Sequence, residues 1–228
     1  MMRVSHRLIP SLQTNIYPLG ERALVLAPTS EDPLSWAAQS KLCWIAEQLR
    51  HLPIVEEAIP GMNNLTIVVR ETRQLKAMQA RLGELWQSAP TETCESRTIE
   101  IPVSYGGEAG PDLHAVAKYH NLSPEEVIKR HCEASYQVFF IGFQPGFAYL
   151  DGLPERLHTP RLATPRLTIP AGSVGIGGEQ TGIYPLASPG GWQIIGRTQL
   201  ALFDASRNPP CLLKPGDRVR FIAVECSL

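Results

Sequence analysis

The residues best suited to chemistry in this 228-residue sequence gather in its C-terminal half, where glycine and proline alternate with aromatic and polar-tipped side chains. Three runs carry the pattern: Gly142-Phe143-Gln144-Pro145-Gly146-Phe147-Ala148-Tyr149-Leu150, Gln180-Thr181-Gly182-Ile183-Tyr184-Pro185 and Ser188-Pro189-Gly190-Gly191-Trp192. Each sets rigid backbone beside an aromatic ring, the apolar wall with a few aimed polar groups that a sheltered pocket needs. Gly172, Gly175, Gly177 and Gly178 either line backbone N–H groups around an anion as a nest or make tight barrel corners; their spacing fits both. His131 and His158 are the histidines nearest these runs. Imidazole can exchange a proton near pH 7, although a lone histidine is more often a satisfied structural residue.

Several familiar chemistries are excluded. Ala171-Gly172-Ser173-Val174-Gly175 approximates a nucleophile elbow, but the following GIGGEQTGIYP cannot form the helix that an elbow requires. The sequence contains no G-x-x-x-x-G-K-[ST], so no Walker-type nucleotide site is expected, and neither H-E-x-x-H nor an EF-hand pattern, so no metal site is expected. Leu113 to His131 reads as two short helices joined tightly. The second sets Lys129 and Arg130 against Glu125, Glu126 and Glu133, a poor balance for a recognition helix that must neutralise phosphates. A structural helix pair flanking a barrel fits better.

The elements that must position these residues divide near residue 90. Of 18 glycines only Gly20, Gly61 and Gly83 precede it, and the polar stretch SAPTETCES from Ser88 to Ser96 reads as a linker. The expected domains are 1–92 and 93–228. In the first, Ala23 to Leu26 reads as a strand and Asp32 with Pro33 as a helix start, followed by the stripe Ala38, Leu42, Ile45, Leu49. Strands over Ile54 to Ile59 and Leu65 to Arg70 flank a turn, and Thr72 caps a second helix with the stripe Leu75, Met78, Leu82, Leu85. If Thr98 to Val103 adds the last strand, the order is β-α-β-β-α-β, a ferredoxin-like domain; that strand could equally open the second domain.

In the second domain, Asp112 can cap one helix, and Ser123-Pro124-Glu125-Glu126 starts another with a capping box. Short apolar runs then follow, at Tyr136 to Phe143, Leu167 to Ile169, Val174 to Ile176, Trp192 to Ile195, Leu200 to Phe203 and Arg218 to Val224, a β-barrel or sandwich pattern. The fold class expected is therefore α+β. A net charge of -1 argues against a nucleic-acid partner. No apolar run reaches the ~20 residues of a membrane helix, and the N-terminus lacks the layout of a secretory signal. Five scattered cysteines, with no C-x-x-C pair, read as reduced thiols of a cytoplasmic protein.

Taken together, GFQPGFAYL, the steps Pro160-Arg161 and Pro165-Arg166, PAGSVGIGG, QTGIYP, PGGW and the GRT at 196 to 198 resemble the B-subunit group of bacterial 5-oxoprolinases. This group is related to the sporulation-kinase inhibitor KipI and to subunit 1 of allophanate hydrolase. The match runs in order from about Gly142 to Phe221, and EAIPGMNNLTIVV at Glu57 to Val69 looks like the B-subunit branch. The resemblance implies a cyclophilin-like β-barrel behind a small α/β domain. It also implies one component of a three-part enzyme that opens 5-oxoproline to glutamate using ATP with Mg²⁺, pairing directly with the larger C component and working with a separate A component. No nucleotide is expected to bind this chain tightly, and the chain alone is expected to be inactive.

Under this resemblance Arg161, Arg166 and Arg197 are candidate phosphate or carboxylate clamps, because a guanidinium holds such groups bidentately. Gln180, Thr181 and Tyr184, with Gly190, Gly191 and Trp192, are candidates for placing the substrate, and His131 for moving a proton. Gly172, Gly175, Gly177 and Gly178 are candidates for holding nucleotide phosphate. The competing readings are a KipI-type kinase inhibitor without turnover and a carboxyl-transfer module related to allophanate hydrolase.

Overall fold

A computed structural model describes residues 13–29, 35–90 and 96–227, in two compact units, Met1–Glu92 and Thr93–Leu228. The first unit runs β1 (Gln13–Leu19), β2 (Ala23–Thr29), α1 (Trp36–Arg50), β3 (Val55–Gly61), β4 (Asn64–Val69) and α2 (Leu75–Ser88). Its antiparallel sheet has the order β1-β2-β4-β3. The periodic stripes do what their spacing demands: Ala38, Leu42 and Ile45 on α1, and Met78 and Leu82 on α2, are buried against Leu24, Leu26, Leu65 and Ile67 of the sheet. Asp32 and Pro33 lie outside the described residues. The cap observed is Ser35, whose Oγ accepts a hydrogen bond from the Ala38 N–H at 3.4 Å.

The expected β-α-β-β-α-β order is corrected. The fourth strand of this sheet is β1, which precedes β2, while Thr98–Gly106 forms β5 of the second unit. The reason is pairing: β1 matches β2 residue for residue from Gln13↔Thr29 to Leu19↔Ala23, whereas β5 lies in a nine-residue register with the last strand of the chain.

The second unit continues with α3 (Leu113–His120), α4 (Pro124–Glu133), β6 (Tyr136–Ile141), β7 (Ala148–Asp151), β8 (Arg166–Ile169), β9 (Ser173–Gly177), β10 (Gln180–Ile183), β11 (Ser188–Gly190), β12 (Gln193–Arg197) and β13 (Arg218–Ser227). Seven strands close a barrel in the order β10-β7-β6-β13-β5-β12-β9, and β8 pairs with β11 as a separate ribbon. β13 runs parallel to β5. The barrel is filled by Ile101, Val103, Val138, Leu150, Val174 and Ile176, with neighbours including Ile183 and Phe221. Leu113 and Val116 of α3 and Val127 and Ile128 of α4 join the same core, so both helices commit their apolar faces to the barrel. Ser123 caps α4 as its type requires, accepting from the Glu126 N–H at 3.3 Å, with Pro124 at the first position.

Leu200 to Phe203, expected as a strand, makes only the bridge Phe203↔Cys211. Among the described cysteines, Cys43, Cys132, Cys211 and Cys226 are free thiols. None of the described helices is long and apolar enough to cross a membrane.

Candidate functional site: two faces of one barrel wall

Strand alternation in β10 divides the predicted site residues. Successive side chains of a strand point to opposite faces, so Thr181 and Ile183 enter the barrel core while Gln180 and Gly182 face outward. Gly182 confirms the outward side: a Cβ there would meet the Trp192 ring at 3.0 Å and the Phe147 ring at 3.2 Å. The neighbouring β9 repeats the division, with Val174 and Ile176 inside and Gly175 and Gly177 under Trp192.

Over these three glycines lies an aromatic shelf. Phe147, Tyr184 and Trp192 form a cluster with Ile169 and Ile194, and Tyr149 packs against it. The rings meet edge to face, with centroids 5.2 Å apart for Phe147 and Tyr184 and 5.5 Å apart for Phe147 and Trp192. That geometry suits the quadrupoles of aromatic rings. Glycine is required at 177 because a Cβ would stand 2.5 Å from the Trp192 indole. Gly190 is equally tight, with a Cβ falling 2.6 Å from the Tyr184 hydroxyl, whereas Gly191 has only ordinary contacts.

Four polar groups belong to this shelf or its edge. The Arg161 guanidinium lies 5.8 Å from the centre of the Trp192 ring, a cation–π placement. Burial pushes the phenols of Tyr149 and Tyr184 up, and the Arg161 charge pulls both partly back. Gln180 contributes a buried Nε2 with no hydrogen-bond partner. A buried donor left unpaired is costly, and it suits a ligand oxygen. Phe147 and Tyr149 belong to a run the sequence marks as pocket-forming, without a role for either; the alternation of β7 opposite Gly182 is what places Tyr149 on this face.

Behind the same wall His131 is fully buried in the barrel. The Thr181 hydroxyl donates to Gly175 O at 2.9 Å, so it accepts from His131 Nε2–H at 3.0 Å. Nδ1 then accepts from the Tyr105 hydroxyl at 2.8 Å. The ring also stacks on Phe221 with centroids 4.4 Å apart. Burial holds the imidazole neutral by pushing its pKa down to about 3. With both nitrogens engaged and no face to solvent, His131 and Thr181 are placed as a satisfied core network rather than as groups that touch a substrate on the shelf.

This burial has a pH signature. The imidazole binds its proton at about 6.5 when unfolded and near 3 when folded, so acid favours the unfolded chain. Stability should be unaffected by this group above pH 6.5 and fall progressively between about 6.5 and 3. At pH 5.5 the deficit is about 1.4 kcal/mol. Unfolding of the wild type and of His131→Gln, compared at pH 7.5 and 5.5, checks this: the pH-dependent loss should shrink in the variant.

The other predicted clamps are engaged within the fold. Arg166 forms a bidentate pair with Asp112, at 2.8 Å and 2.6 Å, and the same carboxylate accepts from the Ile194 N–H at 2.6 Å. Asp112 therefore does not cap α3 with its side chain; its oxygens are drawn to the ribbon and to β12. Arg197 Nε donates to Ala171 O at 2.9 Å. The glycines do not form an anion nest. Gly172 N–H donates to Tyr184 O at 2.7 Å and Gly178 N–H to Thr159 O at 2.8 Å, while Gly175 and Gly177 lie in β9 between β10 and β12.

Arg161 also lines a groove of about 290 Å³ between α3 and residues 159–163, with Gln193 at its side.

The profile of the carboxyltransferase domain, subdomain C and D, matches residues 14–213. A relative from Escherichia coli O157:H7, named as the B subunit of 5-oxoprolinase, is 54% identical over 208 residues, covering 90% of this chain and 94% of that protein. The chain belongs to the 5-oxoprolinase B-subunit family. Another member, from Haemophilus influenzae and with the same name, is 51% identical over 94% of this chain and 100% of its own length. Among solved structures, TTHA0988 superposes with a TM-score of 0.78 at 38% identity over 90% of this chain. This chain spans only 40% of the TTHA0988 chain, so the B-subunit fold also occurs joined to further sequence.

Proposed function

We propose that this chain is the B subunit of an ATP-dependent 5-oxoprolinase in the cytoplasm, paired directly with the C component of that enzyme and working with its A component. The observation that carries the reading is identity of 54% and 51% over nearly whole chains to proteins named as B subunits of 5-oxoprolinase. The reaction adds water across the lactam amide: the C–N bond breaks, the carbonyl carbon becomes a carboxylate and the ring nitrogen becomes the amine of glutamate. That carbonyl is stabilised by resonance, so hydrolysis needs activation, which ATP with Mg²⁺ supplies at the level of the complex. The Gly172 to Gly178 run does not fit a nucleotide cradle, because the Gly172 and Gly178 N–H groups are bound to backbone carbonyls.

What this chain offers is a surface that holds and orients. Gln180 Nε2 can donate to a ligand oxygen, Arg161 can face an anion, and the Tyr184 and Trp192 rings exclude water behind it. Reconstitution with the A and C components should release glutamate with ATP, and this chain alone should not. In that complex Gln180→Ala and Tyr184→Phe should each lower turnover at least about tenfold, as loss of an aimed hydrogen-bonding group does, with stability changed by no more than about 1 kcal/mol. Steady turnover by the chain alone, or normal turnover by both variants, would remove the shelf from the mechanism.

A second reading, a carboxyl-transfer module, is favoured by the description of the matching profile. ATP turnover that depends on bicarbonate and a carboxyl acceptor, and ignores 5-oxoproline, would select it.

A further inference from the structure

The groove beside α3 is lined by nine residues, of which Arg161 alone carries a charge. We propose that it is a binding site for a small monocarboxylate with a compact apolar body, its carboxylate held by Arg161. The inference rests on the oxoprolinase reading only for the identity of the natural ligand; the chemistry of the groove stands by itself.

Four features define that chemistry. First, none of the ion pairs among the described residues engages Arg161, in contrast to Arg97 and Arg166, which face Asp217 and Asp112. Its guanidinium lies 5.8 Å from the centre of the Trp192 ring with no carboxylate among the described residues on its N–H fork, and a planar fork matches a carboxylate. Second, the backbone on either side of Arg161 is anchored. Gln193 Nε2 donates to Pro160 O at 3.0 Å, and the Leu162 N–H donates to Gly191 O at 2.7 Å. A cation on a fixed segment loses little freedom on binding.

Third, the rest of the lining is mainly apolar, with Ala115 and Val116 from α3 facing Leu162 and Ala163. One cation against such a wall suits one negative charge attached to hydrocarbon, and leaves a phosphate dianion undercompensated. The Gln193 amide, with its Nε2 committed, presents its oxygen as an acceptor for a ligand N–H. Fourth, about 290 Å³ sits at the lower limit for small-molecule sites. It admits a single small ring with its carboxylate and is too small for a nucleotide.

The test is direct binding to the full chain, measured by calorimetry and by amide shifts in ¹⁵N–¹H spectra. The probes are 5-oxoproline, cyclopentanecarboxylate, the neutral carboxamide of 5-oxoproline and inorganic phosphate. Both carboxylates should saturate and the neutral carboxamide should not. Arg161→Gln should weaken carboxylate binding at least about tenfold, the scale of one charged hydrogen-bonded contact. Lys118→Gln, which removes a charge from the exposed face of α3, should leave it unchanged. Because Arg161 is itself exposed, its variant should fold, and the dispersion of the same spectra shows whether it has.

The proposal is overturned if neither carboxylate saturates, if a folded Arg161→Gln binds as tightly as the wild type, or if phosphate binds more tightly than the carboxylates. The two readings also separate. Carboxylate binding that depends on Arg161, in a chain whose reconstituted complex opens no lactam, supports the groove and removes the oxoprolinase assignment. Lactam opening without any carboxylate binding to this chain does the reverse.

Discussion

Replacing Asp112 with alanine is expected to destabilise the second unit by about 3 kcal/mol, since it strips a buried acceptor from one backbone donor and one cation. The carboxylate is 9% exposed and its partner Arg166 33%, so water recovers part of the arginine and the loss stays below that of a fully buried pair. The Ile194 N–H recovers nothing, because β12 is buried at that point. Asp112→Asn, which still offers an oxygen to Ile194, should lose roughly half as much. Urea unfolding of the two variants measures both. A change in Asp112→Ala within about 0.5 kcal/mol, the range of ordinary surface substitutions, would mean that this strut between α3, β12 and the β8–β11 ribbon is incidental.

Gly177→Ala is expected to lower the turnover of a reconstituted complex on the order of a hundredfold, because a displacement near 1 Å in a positioning group can cost that much. The added methyl would stand 2.5 Å from the Trp192 indole, inside contact distance, and backbone fixes it from behind. Trp192 must therefore shift, and with it the ring on which Arg161 rests. Gly178→Ala is the control. Its left-handed backbone, φ 70, makes alanine strained, at about 1–2 kcal/mol, but no atom lies within 4 Å of the new methyl. Stability should fall while turnover stays within about threefold, since the shelf is not touched. Tryptophan emission, read beside the rate, reports whether the indole moved. Equal losses from both variants would place the effect in folding rather than in the shelf.

Much of the local structure is legible in the sequence because it is decided within a few residues. The stripes of α1 and α2, the Ser123-Pro124 start of α4, and the Lys214-Pro215-Gly216-Asp217 turn each obey rules of spacing, capping or φ preference. In the turn, Gly216 has φ 91 and the Asp217 N–H returns to Lys214 O at 3.1 Å. The signature runs from Gly142 onward are enough to indicate the family. β1 escapes a sequence reading because QTNIYPL shows no clean alternation and contains a proline. As an edge strand, β1 tolerates that proline, which a central strand would not.

β10 gives no strand signal of its own because QTGI is short and carries glycine, yet glycine is what lets Trp192 lie against that strand. Spacing, capping and turn chemistry suffice to place the turn-rich segments and the helix starts, and the signature runs suffice for the family the chain resembles. Which of those residues share a surface depends on how distant strands meet. Barrel closure sends Thr181 and His131 inward and Gln180, Tyr184 and Trp192 outward. It gives Arg166 a carboxylate from the start of α3, 54 positions away, and leaves Arg161 on an aromatic ring with its charge unpaired among the described residues. Alternation and long-range pairing are properties of strands that meet across the barrel, and no window of sequence contains both partners.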